Sequence, residues 1–103
     1  SLTIYALPNC PYCVESIEII NHFHRRNPKI GIEYVIVSNA EGGEIAKQLP
    51  GFVKLSYDNG SKDIERITQG SYPTFVFYDG SKDLKLWDNN SFGTKALDLI
   101  ENK

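Results

Sequence analysis

Asn9-Cys10-Pro11-Tyr12-Cys13 contains both cysteines of the 103-residue chain, so all of its sulfur lies within four residues. What precedes and follows this stretch decides how it is read. Upstream, Leu2 to Leu7 (LTIYAL) is a short apolar run rich in strand formers and closed by Pro8-Asn9, which predicts a buried strand. Downstream, Pro11 to about Arg26 carries Val14, Ile17, Ile20 and Phe23 at helical spacing, with Glu15, Glu18, His22 and Arg25 around the other side. Pro11 suits a first helical position, Arg25 and Arg26 suit the last turn, and Asn27-Pro28 stops the helix. The acidic residues are expected to fall early in it. The cysteines therefore sit where a strand turns into a helix.

That position gives the pair its chemistry. Cys10 falls at the helix N-terminus and Cys13 three residues later on the same face, where side chains start about 5–6 Å apart. A disulfide needs Cβ atoms about 3.8 Å apart, so the pair can close and reopen with a small local adjustment. A thiolate at Cys10 faces free backbone N–H groups and the positive end of the helix dipole. Pro11 has no N–H but sets φ for the helix start. Cys13, carried inward, is expected to be the less exposed thiol. The roles that follow are Cys10 as nucleophile, giving a mixed disulfide, and Cys13 as resolving thiol, leaving an intramolecular disulfide for a reductant to reopen.

An isolated C-x-x-C is also compatible with half a metal site or with two inert core thiols; the strand-to-helix context favours redox use. His22 and His24 are the obvious further ligands, but the helix rises about 13.5 Å from Cys13 to His22, too far for ligands held about 2.0–2.3 Å from one ion. No metal ligand is assigned. His22 and His24 are expected to be an exposed polar position and a partly buried helix-face residue.

The rest of the chain is α/β. Ile32 to Val37 (IEYVIV) predicts a second strand, parallel to the first through a helical crossover. Glu44 to Leu49 suggests one or two helical turns, with Gly42-Gly43 arguing against a longer element. The segment 51–70 reads two ways. Val53, Leu55 and Tyr57 alternate before Asp58-Asn59-Gly60, as in a hairpin, while Asp63 to Thr68 suits a short helix. Thr74 to Tyr78, the turn signal Asp79-Gly80 and Leu84 to Trp87 predict an antiparallel hairpin, and Phe92, Ala96, Leu97 and Ile100 a last helix. The order is β-α-β, a variable middle, then β-β-α, within one domain spanning 1–103.

Composition narrows the function. Thirteen acidic against eleven basic residues give a formal charge of −2, and no like-charge block exceeds Arg25-Arg26, so no nucleic-acid or anionic-membrane surface is indicated. No apolar run reaches the roughly 18 residues that span a bilayer, and SLTIYALPN lacks the features of a secretory signal. A lone C-x-x-C in a chain able to build its own core points to a reducing compartment, the cytoplasm.

Cys10-Pro11-Tyr12-Cys13 is similar to the active-site sequence of dithiol glutaredoxins, within the thioredoxin-fold superfamily. Tyr72-Pro73-Thr74-Phe75-Val76-Phe77-Tyr78-Asp79-Gly80 resembles the thioredoxin segment in which a cis-proline precedes an edge-forming strand and a turn. The resemblance implies a thioredoxin-like fold with a mixed central sheet flanked by helices, and a thiol–disulfide oxidoreductase, likewise a monomer. Pro73 would be the cis-proline opposite the cysteines, and Pro11, Tyr12, Tyr72 and Pro73 would line the substrate groove, with the Tyr72 backbone pairing to an extended substrate. Substrates would be disulfide-containing proteins or glutathione mixed disulfides. No cofactor is bound; glutathione is a possible co-substrate, its γ-glutamyl carboxylate placed near Asn90 and Ser91, which helix capping also explains.

The chain departs from glutaredoxins in having no basic residue in Tyr5-Ala6-Leu7-Pro8-Asn9 and in carrying Leu86-Trp87-Asp88-Asn89-Asn90 where a glycine pair is usual. The electron donor, a glutathione system or thioredoxin reductase, stays open. So does a rival of another class, an iron–sulfur or metal carrier that uses Cys10. Tyr12, Phe52, Tyr72 and Trp87 are candidates for an aromatic rim on the active-site face, Tyr12 foremost.

Overall fold

The computed structural model describes residues 1–38, 43–78 and 84–87. In chain order these form β1 (Leu2–Ala6), α1 (Pro11–Arg26), β2 (Ile32–Val37), α2 (Gly43–Gln48), β3 (Val53–Asp58), α3 (Lys62–Thr68), β4 (Thr74–Tyr78) and β5 (Leu84–Trp87). The strands make one mixed sheet in the order β3-β2-β1-β4-β5. β1 runs parallel to β2 with Leu2 opposite Ile32, and β2 parallel to β3 with Ile32 opposite Val53. β4 runs antiparallel to β1 with Thr74 opposite Tyr5, and β5 antiparallel to β4. The predicted terminal helix, the Asp79-Gly80 turn, Asn90 and Ser91 lie outside the described residues.

The sheet is covered on both faces, and the two-residue period of its strands sorts the core. Leu2, Ile4, Ala6, Ile32, Tyr34, Ile36, Phe75 and Phe77 point to one face, where Cys13, Ile20 and Phe23 of α1 and Ile45 of α2 close over them. Tyr5, Val35 and Val76 point to the other, against Ile64 of α3. β1 is accordingly buried along its whole length. This explains why the first strand reads as a continuous apolar run rather than an alternating one. Among the described residues, no helix is long and apolar enough to cross a membrane.

One open reading is decided and two expectations need correction. The 53–58 strand does not fold back as a hairpin. It extends the sheet beyond β2 in parallel, and the Asp58 carboxylate accepts from the amides of Gly60 (2.8 Å) and Ser61 (2.9 Å), turning the chain directly into α3. Ser61 then caps that helix by accepting from the Ile64 amide. Both halves of the ambiguous segment are thus real, a strand followed by a helix. Second, β4 is an internal strand, held between β1 and β5. Third, no acidic residue falls in the first turn of α1; Glu15 lies one turn further on.

Gly43 shows how α2 meets the loop that leads into the cysteines. Its φ is +60°, and a Cβ there would lie 3.0 Å from both Asn9 Oδ1 and Pro8 O. Only glycine adopts this backbone without strain and clears both atoms. Gly43→Val is expected to destabilise the fold by about 1–3 kcal/mol, read as a lower thermal midpoint. An unchanged midpoint would refute the close approach of α2 to Pro8-Asn9.

Candidate active site

The cysteine pair lies at the C-terminal end of β1, where four residues, Leu7 to Cys10, deliver the chain to α1. Cys10 is the N-cap of that helix, in extended conformation (φ −98°, ψ 116°), and Pro11 follows at the first helical position. The Cys13 amide donates both to the Cys10 carbonyl (3.1 Å) and to Cys10 Sγ (3.3 Å). A cysteine thus fills the capping place usually held by a serine or aspartate, and its sulfur takes an orphan N–H of the first turn. Both cysteines are free thiols, Cys10 half-buried and Cys13 buried. Tyr12, between them, is 66% exposed.

The second wall comes from the segment before β4. The Tyr72–Pro73 peptide bond is cis, Pro73 is buried, and the Cys10 thiol points at the Tyr72 carbonyl oxygen at 4.0 Å. Cys10, Tyr72 and Pro73 therefore meet although 62 residues separate the first two in sequence. The loop is held by hydroxyls. Thr68 donates to the Tyr72 hydroxyl (3.4 Å), the Gly70 amide donates to Thr68 (3.3 Å), and Thr74 donates to the Ser71 carbonyl (2.7 Å).

The two thiols are chemically unlike. Burial, with a further contribution from the hydrogen bond to Cys10, pushes Cys13 up to about 12, while the Leu7 backbone works the other way. A thiol is a poor nucleophile until it ionises, so Cys13 is inert in the resting dithiol. At neutral pH a limiting amount of iodoacetamide is expected to label Cys10 alone, as read by peptide mass spectrometry; labelling of Cys13 at a comparable rate would contradict the burial.

Two residues at this site are absent from the sequence reading, Ser16 and Tyr34. Both are 0% exposed, and both reach the Cys13 carbonyl oxygen. The buried stripe of α1 is Cys13, Ser16, Ile17, Ile20 and Phe23, with Val14 only half-buried. A serine in phase with Cys13 and Ile20 was the available signal. Tyr34 gave none, since a tyrosine in a β-prone run is ordinary strand composition.

The aromatic rim does not assemble as expected. Phe52 stacks on His24, ring centroids 3.7 Å apart, and His24 lies about 21 Å along the helix axis from Cys10. Phe52 also precedes Val53, which pairs with Ile32 at the end of the sheet remote from the cysteines. It belongs to the opposite pole. The backbone of Trp87, opposite Phe75, lies at the cysteine end. His22 is exposed and His24 half-buried. Among the described residues, no three His, Cys, Asp or Glu side chains come together as a metal-binding group.

No protein-family model and no curated protein matches the sequence. In structure the chain is similar to a secreted disulfide oxidoreductase of Mycobacterium tuberculosis, itself described as homologous to E. coli DsbE. The TM-score is 0.68 at 18% sequence identity, over 85% of this chain and 67% of that one. The order of strands and helices, with a C-x-x-C at the start of α1 and a cis-proline before β4, is that of a thioredoxin-like fold.

Proposed function

We propose that this chain is a thiol–disulfide oxidoreductase that works through a reversible Cys10–Cys13 disulfide and acts on disulfides of extended polypeptides. The observation that carries the reading is the asymmetry of the pair: a half-exposed N-cap sulfur against the Tyr72 carbonyl, with a buried thiol one helical turn behind it. The Cys10 thiolate attacks a substrate disulfide, forming a mixed disulfide and releasing one substrate thiolate, which is protonated. Cys13 loses its proton and attacks Cys10; the Cys10–Cys13 bond forms and the second substrate sulfur leaves, taking up a proton. An outside dithiol or two thiols then restore the reduced pair. Run backwards, the same steps oxidise a substrate.

An edge of substrate backbone beside Tyr72 and Pro73, with the exposed Tyr12 ring as an apolar contact, suits an extended peptide. Glutathione mixed disulfides are the finer alternative, following the glutaredoxin-like Cys10-Pro11-Tyr12-Cys13. Cysteine usage supports a reducing compartment such as the cytoplasm, whereas the structural neighbour is a secreted protein, so the fold serves oxidising surroundings too. The deciding experiment compares reduction of a protein disulfide driven by thioredoxin reductase with reduction driven by glutathione and its reductase. Turnover with the former alone supports the polypeptide reading, turnover with glutathione alone replaces it with a glutaredoxin, and no turnover with either, together with no oxidation of a peptide dithiol by the disulfide form, refutes the oxidoreductase.

A further inference from the structure

Two buried hydroxyls converge on one backbone atom, the Cys13 carbonyl oxygen. Ser16 Oγ donates to it from the same helix, and Tyr34 Oη reaches it from β2 at 3.2 Å while lying 3.0 Å from Ser16 Oγ. Cys13, Ser16 and Tyr34 are all 0% exposed, in an otherwise apolar cluster that includes Leu2, Ile4, Ile20, Ile36 and Phe75. Stability alone does not call for these hydroxyls, because alanine and phenylalanine would fill nearly the same space with no polar group to desolvate. Their position is the informative part. They meet on the backbone of the residue whose sulfur has to ionise inside the core.

We infer that Ser16 and Tyr34 are positioning residues for Cys13, supplying hydrogen-bond donors that let its thiolate form in the resolving step; this rests on the oxidoreductase reading above. The carbonyl oxygen is the negative end of a peptide dipole in the same residue as the sulfur. The helical ladder offers it one donor, the amide four residues on, and the hydroxyls offer two more. Each places a positive hydrogen beside that oxygen and weakens the negative field at the neighbouring sulfur, where little water screens it. Because both hydroxyls rotate, the Tyr34 proton can turn between Ser16 Oγ and Cys13 O as charge develops. Neither hydroxyl gives up its proton. Burial holds the Tyr34 phenol above its usual range against the smaller lowering from its hydrogen bond with Ser16, with the charges of Cys13 and Cys10 adding to the push, so it stays a donor throughout.

The titratable groups that face Cys13 are Cys10 on its own helix and Tyr34 from β2. Ahead of α1 the chain offers it the Leu7 backbone; β1, β4 and α2 present Ile4, Ala6, Phe75 and Ile45 to the same cluster, with no charged side chain buried there among the described residues. Among the described residues, no carboxylate is therefore buried in this part of the core to favour or oppose the thiolate.

The test reads Cys13 ionisation without needing turnover. In a Cys10→Ser background Cys13 is the sole thiol, and its alkylation rate is followed between about pH 7 and 10. Adding Tyr34→Phe, which keeps the ring, is expected to displace that profile to higher pH and to slow alkylation about three- to tenfold at fixed pH, a tenfold change matching one pH unit. Ser16→Ala is expected to act in the same direction. In the two-cysteine chain, Tyr34→Phe should slow the decay of a preformed Cys10 mixed disulfide by the same factor and leave Cys10 alkylation unchanged. An unmoved profile in a variant with wild-type circular dichroism and thermal midpoint overturns the inference, as does equal slowing at both cysteines. Should Tyr34→Phe fail to fold, Ser16→Ala decides by the same two criteria. If the wild type exchanges no disulfide yet the profile shifts, the oxidoreductase reading falls and the positioning role stands.

Discussion

Cys10→Ser is expected to abolish disulfide exchange, by about a thousandfold or more, whereas Cys13→Ser is expected to arrest the reaction one step later. The difference follows from access. Cys10 is half-buried at the helix N-cap and Cys13 is sealed beneath it, so a substrate disulfide meets one sulfur and not the other. Without Cys10 there is nothing to attack. Without Cys13 the attack still occurs, but the mixed disulfide has no neighbouring thiol to release it and should accumulate as a covalent adduct of the substrate's mass. Mixing each variant with a disulfide-bonded peptide and recording intact mass separates the cases. Exchange at the wild-type rate in Cys10→Ser, or no adduct in Cys13→Ser, would sink the assignment of roles.

The second large effect is on pH dependence. With Cys13 pushed up to about 12, first by burial and then by the hydrogen bond to Cys10, little of it is ionised in the resting dithiol at pH 7, and the ionised fraction rises about tenfold with each pH unit. Burial of Cys13 persists when Cys10 is tied up in a mixed disulfide, although the hydrogen bond and charge that the Cys10 thiol adds do not, so the resolving rate, measured as decay of a preformed Cys10 mixed disulfide, should still climb with pH between about 6 and 9. A plateau in the neutral range would mean that the Cys13 thiolate forms far more readily than its burial dictates. The same displacement has a consequence for stability. A thiol whose value is raised by folding contributes fully below its unfolded value of 9.0 and loses that contribution as the pH climbs towards 12. The loss grows with each pH unit across that window. Cys13→Ala should flatten this part of the unfolding profile.

Much of the fold was legible because its elements carry local signatures. The first helix shows its apolar spacing, its proline at the start and its Asn27 stop, and it forms over Pro11–Arg26 as expected. The strands Ile32–Val37, Thr74–Tyr78 and Leu84–Trp87 announce themselves by β-branched and aromatic residues. Val53–Asp58 was harder. Alternation of Val53, Leu55 and Tyr57 specifies a strand but not its partner, and the turn signal directly after it left a hairpin and a passage into a helix both open. The partner is β2, chosen because the parallel register sets Val53 and Leu55 beside Ile32 and Tyr34 over the shared core.

What the amino-acid sequence determined by itself is the local frame of the thiols: two cysteines one turn apart, a proline that starts a helix beneath them, and the strand that delivers them. Those are properties of short windows, in which backbone preference and side-chain spacing act between near neighbours. Only the tertiary structure decided which groups surround the sulfurs. The meeting of Cys10 with Tyr72 and Pro73, the arrival of the Tyr34 hydroxyl at the Cys13 carbonyl, and the removal of Phe52 to the far pole all depend on strand order and register. These are set when the sheet closes over its two cores. A hydroxyl contributed by another strand leaves no trace in the spacing of the motif it serves, because the distance that matters is measured through space and not along the chain.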